Sequence, residues 1–167
     1  VFKAAVLIKK NTIKIFNLIK PKLKPHQAFV KIKYSSICHT QVQEIEGKRG
    51  VDKYLPHCLG HEAIGEIKEI HQTVKKFKVG DIVCLSWIKN DGKDAGSVIY
   101  SDINGLKINA GPVHTFNEYA VISENRIYKL KNKKNLKSKL LLGCAMSTAY
   151  NTLHSDLNSS SSKTIVI

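Results

Sequence analysis

Alternation of side chains over residues 28–34 constrains the fold of this chain more than any other feature. Apolar or aromatic residues occupy positions 28, 30, 32 and 34, and Lys31 and Lys33 lie between them. This period of two is that of a strand with one face buried. Similar short segments separated by turn residues recur at 1–8, 13–18, 63–70, 81–88 and 118–122. The first two are joined around Asn11 and predict a hairpin. We therefore predict a mainly β domain, built as a sandwich or a partly open barrel.

The pattern changes further along the chain. Between residues 89 and 112, Asp-Gly, Asn-Gly and Gly-Pro pairs predict a long excursion with little regular structure. From Ser138, which we take as a helix cap, apolar residues share a helical face, and Gly143 is placed where it would divide the helix. A serine-rich stretch, 155–162, then leads to a β-branched run, 164–167, with the character of a buried strand.

Length and composition limit the classes of protein to which this chain can belong. The chain has 167 residues, 43% of them hydrophobic, which suits one domain or one domain and a stub of another. It has no run of about eighteen apolar residues, and its first residues lack the charged-then-apolar pattern of a secretory signal, so we expect no membrane span and a cytoplasmic location. We then expect its cysteines to bind metal or to be buried, rather than to form disulfides; they are Cys38, Cys58, Cys84 and Cys144.

The chain is strongly basic, with a net charge of +14. No acidic residue precedes Glu44, and a second basic stretch runs over residues 126–139. One interpretation is a non-enzymatic domain that binds nucleic acid or another anionic partner. The other is a solvated lysine-rich face, and the aromatic content of only 7%, with no interleaving of basic and aromatic residues, favours this second interpretation.

Three segments far apart in the sequence carry residues that bind metals, namely Cys38, His61 and Cys144. Thiolate and imidazole are the ligands that zinc prefers, and a catalytic zinc keeps three protein ligands and one open position. The spacing is too wide for a zinc finger, and it does not by itself show that the three converge. Taken singly, each cysteine could be a small core residue and the histidine a hydrogen-bonded structural residue.

In this order, the three segments resemble the zinc-dependent alcohol dehydrogenases of the medium-chain dehydrogenase/reductase superfamily. The motifs that carry the resemblance are Cys38-His39-Thr40, Gly60-His61-Glu62, 141–150, Gly80-Asp81-Ile82-Val83 and 116–120. The resemblance covers nearly the whole chain. It implies a GroES-like catalytic domain, a partly open β-barrel with a few short helices, over residues 1–154. Residues 155–167 would be a linker and the first strand of a truncated Rossmann domain.

The resemblance also implies roles for individual residues. Cys38, His61 and Cys144 would bind one catalytic zinc, whose Lewis acidity lowers the pKa of the alcohol. Thr40 would pass the alcohol proton outward. Glu62 would act close behind the metal, where it can tune the field of the ion.

Other matching positions carry weaker implications. His39 corresponds to a position that contacts the cofactor phosphate, with a solvated histidine as the alternative. Trp87 corresponds to a pocket-lining aromatic, with burial in the core as the alternative. Gln41 stands where the family usually has an aspartate behind the ligand histidine, so the zinc affinity should differ from that of typical relatives. Gln43 stands where some relatives have a relay histidine, so the path of the proton should differ as well. Residues 89–115 contain no cysteine, so we predict no structural zinc.

The dinucleotide site of the family begins with a strand, followed by G-x-G-x-x-G and a helix. The sequence stops at Ile167 without this motif, so we predict that this chain alone neither binds NAD(P) nor turns over substrate. The predicted parent is an NAD(P)-dependent alcohol or aldehyde oxidoreductase and a homo-oligomer, with the missing nucleotide-binding domain as its partner. An alternative is that the chain belongs to a zinc-free member of the superfamily, of the quinone-reductase type. The presence of all three metal-binding residues argues against this alternative.

Overall fold

The computed structural model describes residues 1–157 and Thr164, and the described residues confirm the mainly β class. The strands are β1 (Phe2–Lys9), β2 (Thr12–Ile19), β3 (Gln27–Ser35), β4 (His57–Cys58), β5 (Ala63–Ile70), β6 (Ile82–Leu85), β7 (Ile99–Asp102), β8 (Lys107–Asn109), β9 (Tyr119–Ser123) and β10 (Ile127–Lys129). The helices are α1 (His39–Ile45), α2 (Leu136–Lys139) and α3 (Ala145–Asn151). Glu124–Arg126 and Leu140–Gly143 form 3₁₀ turns, and Thr152–Asp156 forms a π-helical turn.

Five of the strands close into a barrel in the order β1-β2-β7-β8-β4. The hairpin predicted at the N-terminus is its first pair, in which Phe2 lies opposite Leu18. The turn contains Asn11 at φ 56°, a left-handed conformation that asparagine tolerates well. Inside the barrel the ring of Phe2 meets Tyr100 edge to face, with 5.5 Å between centroids. Burial of such aromatic side chains contributes about 1.5–3 kcal/mol each.

The other five strands form a second sheet in the order β10-β6-β5-β3-β9. Its central strand β3 is the segment with the alternating pattern, and Ala28 and Val30 are fully buried while Lys31 and Lys33 are exposed. The pattern fails at Tyr34, which is 38% exposed. The pairing of β3 with β5 shifts register between residues 32 and 34, and such an irregularity turns the following side chain away from the face it would otherwise occupy.

Residues 89–112 hold more regular structure than the sequence predicts. Strands β7 and β8 lie inside this segment and complete the barrel by pairing with β2 and β4. They have only four and three residues, too few for a period of two to be distinguished from a turn. Their stability comes from the neighbouring strands rather than from their own pattern.

The helical region begins earlier than predicted. Helix α2 starts after Asn135, and Ser138 lies inside it rather than at its cap. Gly143 does divide the region, as predicted, because the 3₁₀ turn ends there before α3 begins. The predicted strand at 164–167 lies outside the described residues except for Thr164, so the domain boundary stays a prediction. In the described part of the chain, no helix has both the length and the apolar character that crossing a membrane requires.

One edge of the second sheet brings the ligand segments together. Ser35, at the end of β3, pairs with Ala63, and Ala63 pairs with Leu85, at the end of β6. The three residues lie side by side. The segment that follows β3, the segment that precedes β5 and the segment that follows β6 therefore lie close together. Cys38 follows Ser35 by three residues, and His61 precedes Ala63 by two. The fold therefore brings the segments that carry Cys38 and His61 close together, which their spacing in the sequence could not show.

Candidate metal centre

Cys38, His61 and Cys144 come together at this edge. One ligand atom from each, a thiol sulfur or an imidazole nitrogen, lies within 4.8 Å of the other two. All three residues are partly buried. The donor set is two thiols and one imidazole, which is the set that one catalytic zinc takes in alcohol dehydrogenase. The structure thus brings together the three residues that the sequence singled out for a metal.

Cys38 is held at the start of α1. Its backbone carbonyl accepts the N–H of Gln41 at 3.0 Å, and its own N–H donates to Oε1 of Gln41 at 3.3 Å. This reciprocal pair of bonds satisfies two backbone groups at the beginning of a short helix. It also fixes the direction in which the Cys38 side chain leaves the backbone.

His61 sits in the turn between β4 and β5, where the preceding residue must be glycine. Gly60 has φ 89°, and a Cβ there would lie 2.4 Å from the hydroxyl oxygen of Thr115. Nδ1 of His61 lies 2.5 Å from Nε2 of Gln41. Nε2 of His61 is buried and has no hydrogen-bond partner in the described residues. A buried imidazole nitrogen that lies beside two thiols and has no hydrogen-bond partner indicates a cation-binding site.

Cys144 is placed by the glycine before it. A Cβ on Gly143 would lie 2.6 Å from the carbonyl oxygen of Leu85 and 2.7 Å from Cβ of Glu62. Only glycine lets the 3₁₀ turn approach the sheet this closely. The hydroxyl of Ser86 donates to the carbonyl of Gly143 at 2.6 Å and anchors the turn. The glycine of the Leu-Gly-Cys motif therefore sets the position of the Cys144 thiol by close packing.

The electrostatics of the centre favour a cation. Burial raises the pKa of the Cys144 thiol, and neighbouring Cys38 and Glu62 raise it further. Burial likewise lowers the pKa of His61, so the imidazole is neutral at physiological pH. Neutral imidazole is the metal-binding form, and a divalent cation would offset the cost of ionising the crowded thiols.

Glu62 follows the candidate ligand His61 in sequence and is only 2% exposed. Its charge influences both His61 and Cys144. Its Oε2 has no hydrogen-bond partner among the residues described. Its backbone carbonyl accepts the hydroxyls of Ser35 at 3.0 Å and Thr115 at 3.2 Å, which lock the start of β5. A buried carboxylate oxygen without a partner is costly, and a cation nearby would relieve that cost.

A cavity of about 600 Å³ opens next to the centre. Thr40, His61 and Trp87 line it, so the predicted relay hydroxyl and the pocket aromatic face the same space. Trp87 is 49% exposed and therefore lies in the wall rather than in the core. His39 is exposed and does not line this cavity. This leaves it available to a phosphate group at the surface.

A polar wall of this cavity was missed by the sequence analysis. It contains Glu44, Arg49 and His57, and Asp52 lies behind it, with Oδ2 at 2.7 Å from Nε2 of His57. Burial raises the pKa of Glu44, although His57 and Arg49 oppose the effect. Part of the signal was in the sequence, because Thr40 and Glu44 are four residues apart and share one face of α1.

The two remaining cysteines are buried thiols, as predicted. Cys58 is 6% exposed and Cys84 is 3% exposed, and they lie in different sheets. Burial raises the pKa of each to about 12, so neither is a reactive thiolate at neutral pH. The absence of a structural zinc stays a prediction.

The fold and the site together define a β-barrel domain with a candidate catalytic metal centre. The model of the alcohol dehydrogenase GroES-like domain matches residues 24–132. The chain belongs to this family, which confirms the resemblance drawn from its motifs. It is 36% identical to an alcohol dehydrogenase of Geobacillus stearothermophilus over 87 residues, which are 52% of this chain and 26% of that protein.

Solved structures share the fold. An alcohol dehydrogenase zinc-binding domain protein from Burkholderia ambifaria matches with a TM-score of 0.78 and 22% identity, over 94% of this chain and 49% of that one. A CAD from Helicobacter pylori complexed with NADP(H) matches with a TM-score of 0.71 and 24% identity, over 91% of this chain and 48% of that one. The chain thus spans about half the length of these structures and about a quarter of the Geobacillus relative.

Proposed function

We propose that Cys38, His61 and Cys144 hold one catalytic zinc ion, and that this domain is the zinc-binding part of an NAD(P)-dependent alcohol or aldehyde oxidoreductase. The observation that carries the proposal is the orphaned Nε2 of His61, buried beside two thiols at the end of a cavity. The residues fit the ion in number and in chemical type. Bound zinc would supply a Lewis acid that lowers the pKa of an alcohol hydroxyl in the cavity.

The residues of the chain would do the rest of the work on the substrate. Thr40 lines the cavity beside His61, where its hydroxyl can accept the alcohol proton and pass on its own. Trp87 and Val113 present apolar surface on the same cavity and would orient the carbon skeleton while excluding water. Glu62 would balance charge behind the ligands.

Hydride transfer needs an acceptor that this chain does not supply. The 167 residues contain no G-x-G-x-x-G motif, and NAD(P) binding in this family's manner depends on one. We therefore assign the cofactor to a nucleotide-binding domain that would complete the parent protein, with exposed His39 facing its phosphate. The Helicobacter structure, complexed with NADP(H), supports this assignment. We expect the parent to act in the cytoplasm as a homo-oligomer.

The zinc content of the purified 167-residue chain tests the proposal. We expect one zinc per chain, and loss of it in each of three variants, Cys38→Ser, His61→Ala and Cys144→Ser. Cys84→Ala is the matched control, because this thiol is buried and does not belong to the three residues whose ligand atoms converge. Full zinc occupancy in any of the three ligand variants would overturn the proposed ligand set.

A further inference from the structure

A second group of metal-binding side chains lies at the cavity beside the candidate zinc centre. Glu44, Asp52 and His57 each offer one ligand atom, and these three atoms lie within 4.8 Å of one another. Glu44 and His57 line the same cavity as His61, whereas Asp52 does not line it. The group shares no residue with Cys38, His61 and Cys144, so its chemistry is separate from that of the zinc centre.

The three side chains reach one place from different parts of the fold. Glu44 lies in α1, Asp52 lies in the loop after this helix, and His57 begins β4. Oδ1 of Asp52 accepts the backbone N–H of Tyr54 at 2.9 Å. This bond holds the carboxylate in place and leaves its other oxygen, Oδ2, to face His57.

The ring of His57 is oriented as a metal ligand would be. The residue is only 7% exposed, and its Nδ1 lies 2.9 Å from the backbone carbonyl oxygen of Cys58. A carbonyl oxygen only accepts hydrogen bonds, so Nδ1 carries a proton, and in the neutral ring Nε2 carries a lone pair. Histidines that bind metals donate their other ring N–H to a backbone carbonyl or a carboxylate in the same way.

Two carboxylate oxygens face this Nε2 of His57. Oδ2 of Asp52 lies at 2.7 Å and Oε1 of Glu44 lies at 3.9 Å. An ionised carboxylate has no proton to donate, so a positive charge has to lie between the ring and the two acids. A proton on Nε2 would bond to Asp52 but not to Glu44, because 3.9 Å is too long for a hydrogen bond. A metal ion would bond to all three side chains.

The distances and the charge of the group suit an ion. With metal–ligand bonds of about 2.0–2.2 Å, ligand atoms in a tetrahedral site lie about 3.4 Å apart. The two distances from Nε2 of His57, 2.7 and 3.9 Å, lie on either side of this value. Burial raises the pKa of Glu44, although His57 and the exposed Arg49 oppose the effect. A bound cation would offset the cost of ionising this carboxyl group.

We infer that Glu44, Asp52 and His57 bind a second divalent metal ion, in a site of two carboxylates and one imidazole that accepts zinc or manganese. Imidazole suits zinc, and carboxylate suits manganese as well. The site has no thiol, so it should accept manganese more readily than the site with Cys38 and Cys144 does. Three protein ligands leave a coordination position open. Because Glu44 and His57 line the cavity, that position would be available to an oxygen atom of a molecule bound there.

Equilibrium dialysis of the 167-residue chain against zinc, followed by metal analysis, tests the inference. We expect Glu44→Gln and Asp52→Asn, which keep the side-chain shape, each to bind one zinc ion fewer than the unchanged chain. Circular dichroism shows whether the variants stay folded. Glu46→Gln is the matched control, because Glu46 pairs with Lys48 and does not belong to the group. Zinc content that is the same in all four chains would overturn the inference.

Manganese tests this site independently of the zinc centre. Cys38→Ser removes a ligand of that centre and should still bind one manganese ion per chain, measured from the loss of the EPR signal of free Mn²⁺. Adding Glu44→Gln to this variant should abolish the binding. No manganese binding by Cys38→Ser, or equal binding by the two chains, would overturn the inference. Neither result depends on whether Cys38, His61 and Cys144 bind zinc, so the two proposals fail separately.

Discussion

Nε2 of Gln41 lies 2.5 Å from Nδ1 of His61, while Oε1 of the same amide accepts the backbone N–H of Cys38. In this arrangement Gln41 donates to the ring, so the ring proton is on Nε2. Metal binding through Nε2 requires the proton on Nδ1 instead. The amide must then turn over, and the bond to Cys38 is lost.

A carboxylate at this position would remove the conflict, because it accepts from both neighbours. We expect Gln41→Glu, which keeps the side-chain length, to bind zinc about tenfold more tightly. Competition with a chelator of known affinity measures this. Gln43→Glu adds the same charge to the same helix without touching His61, and should leave the affinity within about twofold. Equal affinities for the two variants would show that net charge, not the contact with His61, sets zinc binding.

Gly143 brings Cys144 to the centre by close packing against Leu85 and Glu62. Gly143→Ala places a Cβ where two atoms already lie, so we expect a loss of about 1–3 kcal/mol in the free energy of unfolding and weaker zinc binding. Urea denaturation and chelator competition measure the two effects. Gly80→Ala is the control, because φ there is 87° but no atom lies within 4 Å of the added Cβ. It should cost about 1–2 kcal/mol and leave zinc affinity unchanged.

His114 should make stability depend on pH. The residue is fully buried and accepts the hydroxyl of Tyr100 at 2.7 Å, and burial lowers the pKa of His114 to about 4. The unfolded chain titrates near its ordinary value of about 6.5. Between those pH values the unfolded chain binds a proton that the folded chain does not, so the free energy of unfolding should fall as pH falls through this window.

Urea denaturation at several pH values measures this slope. We expect His114→Phe to flatten it, and Tyr100→Phe to keep it, because burial rather than the Tyr100 contact is the main cause of the shift. An unchanged slope in His114→Phe would show that other groups control stability in this range.

The basic surface gives a further prediction. Seven of the described lysines lie in ion pairs with acidic residues, among them Lys33 with Glu66, Lys76 with Asp91 and Lys129 with Asp81. Paired lysines contribute less to binding a phosphate backbone, and the low aromatic content offers few rings on which bases could stack. We expect no binding of a short DNA duplex or RNA at physiological salt in a fluorescence anisotropy titration. Tight binding that weakens steeply with salt would favour the non-enzymatic alternative.

The sequence predicted what its local patterns encode. The alternation in β3 and the hairpin around Asn11 reflect burial of one face of each strand. The apolar residues that are buried lie within the segment itself, so the local sequence shows the pattern. The ligand residues were also identified, but through a resemblance, since spacing alone cannot show that Cys38, His61 and Cys144 meet. Their convergence depends on the lateral pairing of Ser35, Ala63 and Leu85, a tertiary relationship.

The features that were missed depend on distant partners. Strands β7 and β8 are too short to show the period of two. They form because they pair with β2 and β4 and so close the barrel. Glu44 and His57 come together across a turn and through Asp52, and no motif marks that contact. The same holds for the orientation of the Gln41 amide, which follows from two neighbours at once.

X-ray absorption at the zinc edge of the purified 167-residue chain tests the central claim most directly. The account predicts two sulfur atoms at about 2.3 Å and at least one imidazole nitrogen at about 2.0–2.1 Å from each zinc. Cys144→Ser should lower the sulfur count, while Cys84→Ala should leave it unchanged. A zinc environment without sulfur, or with four sulfur atoms, would contradict the account.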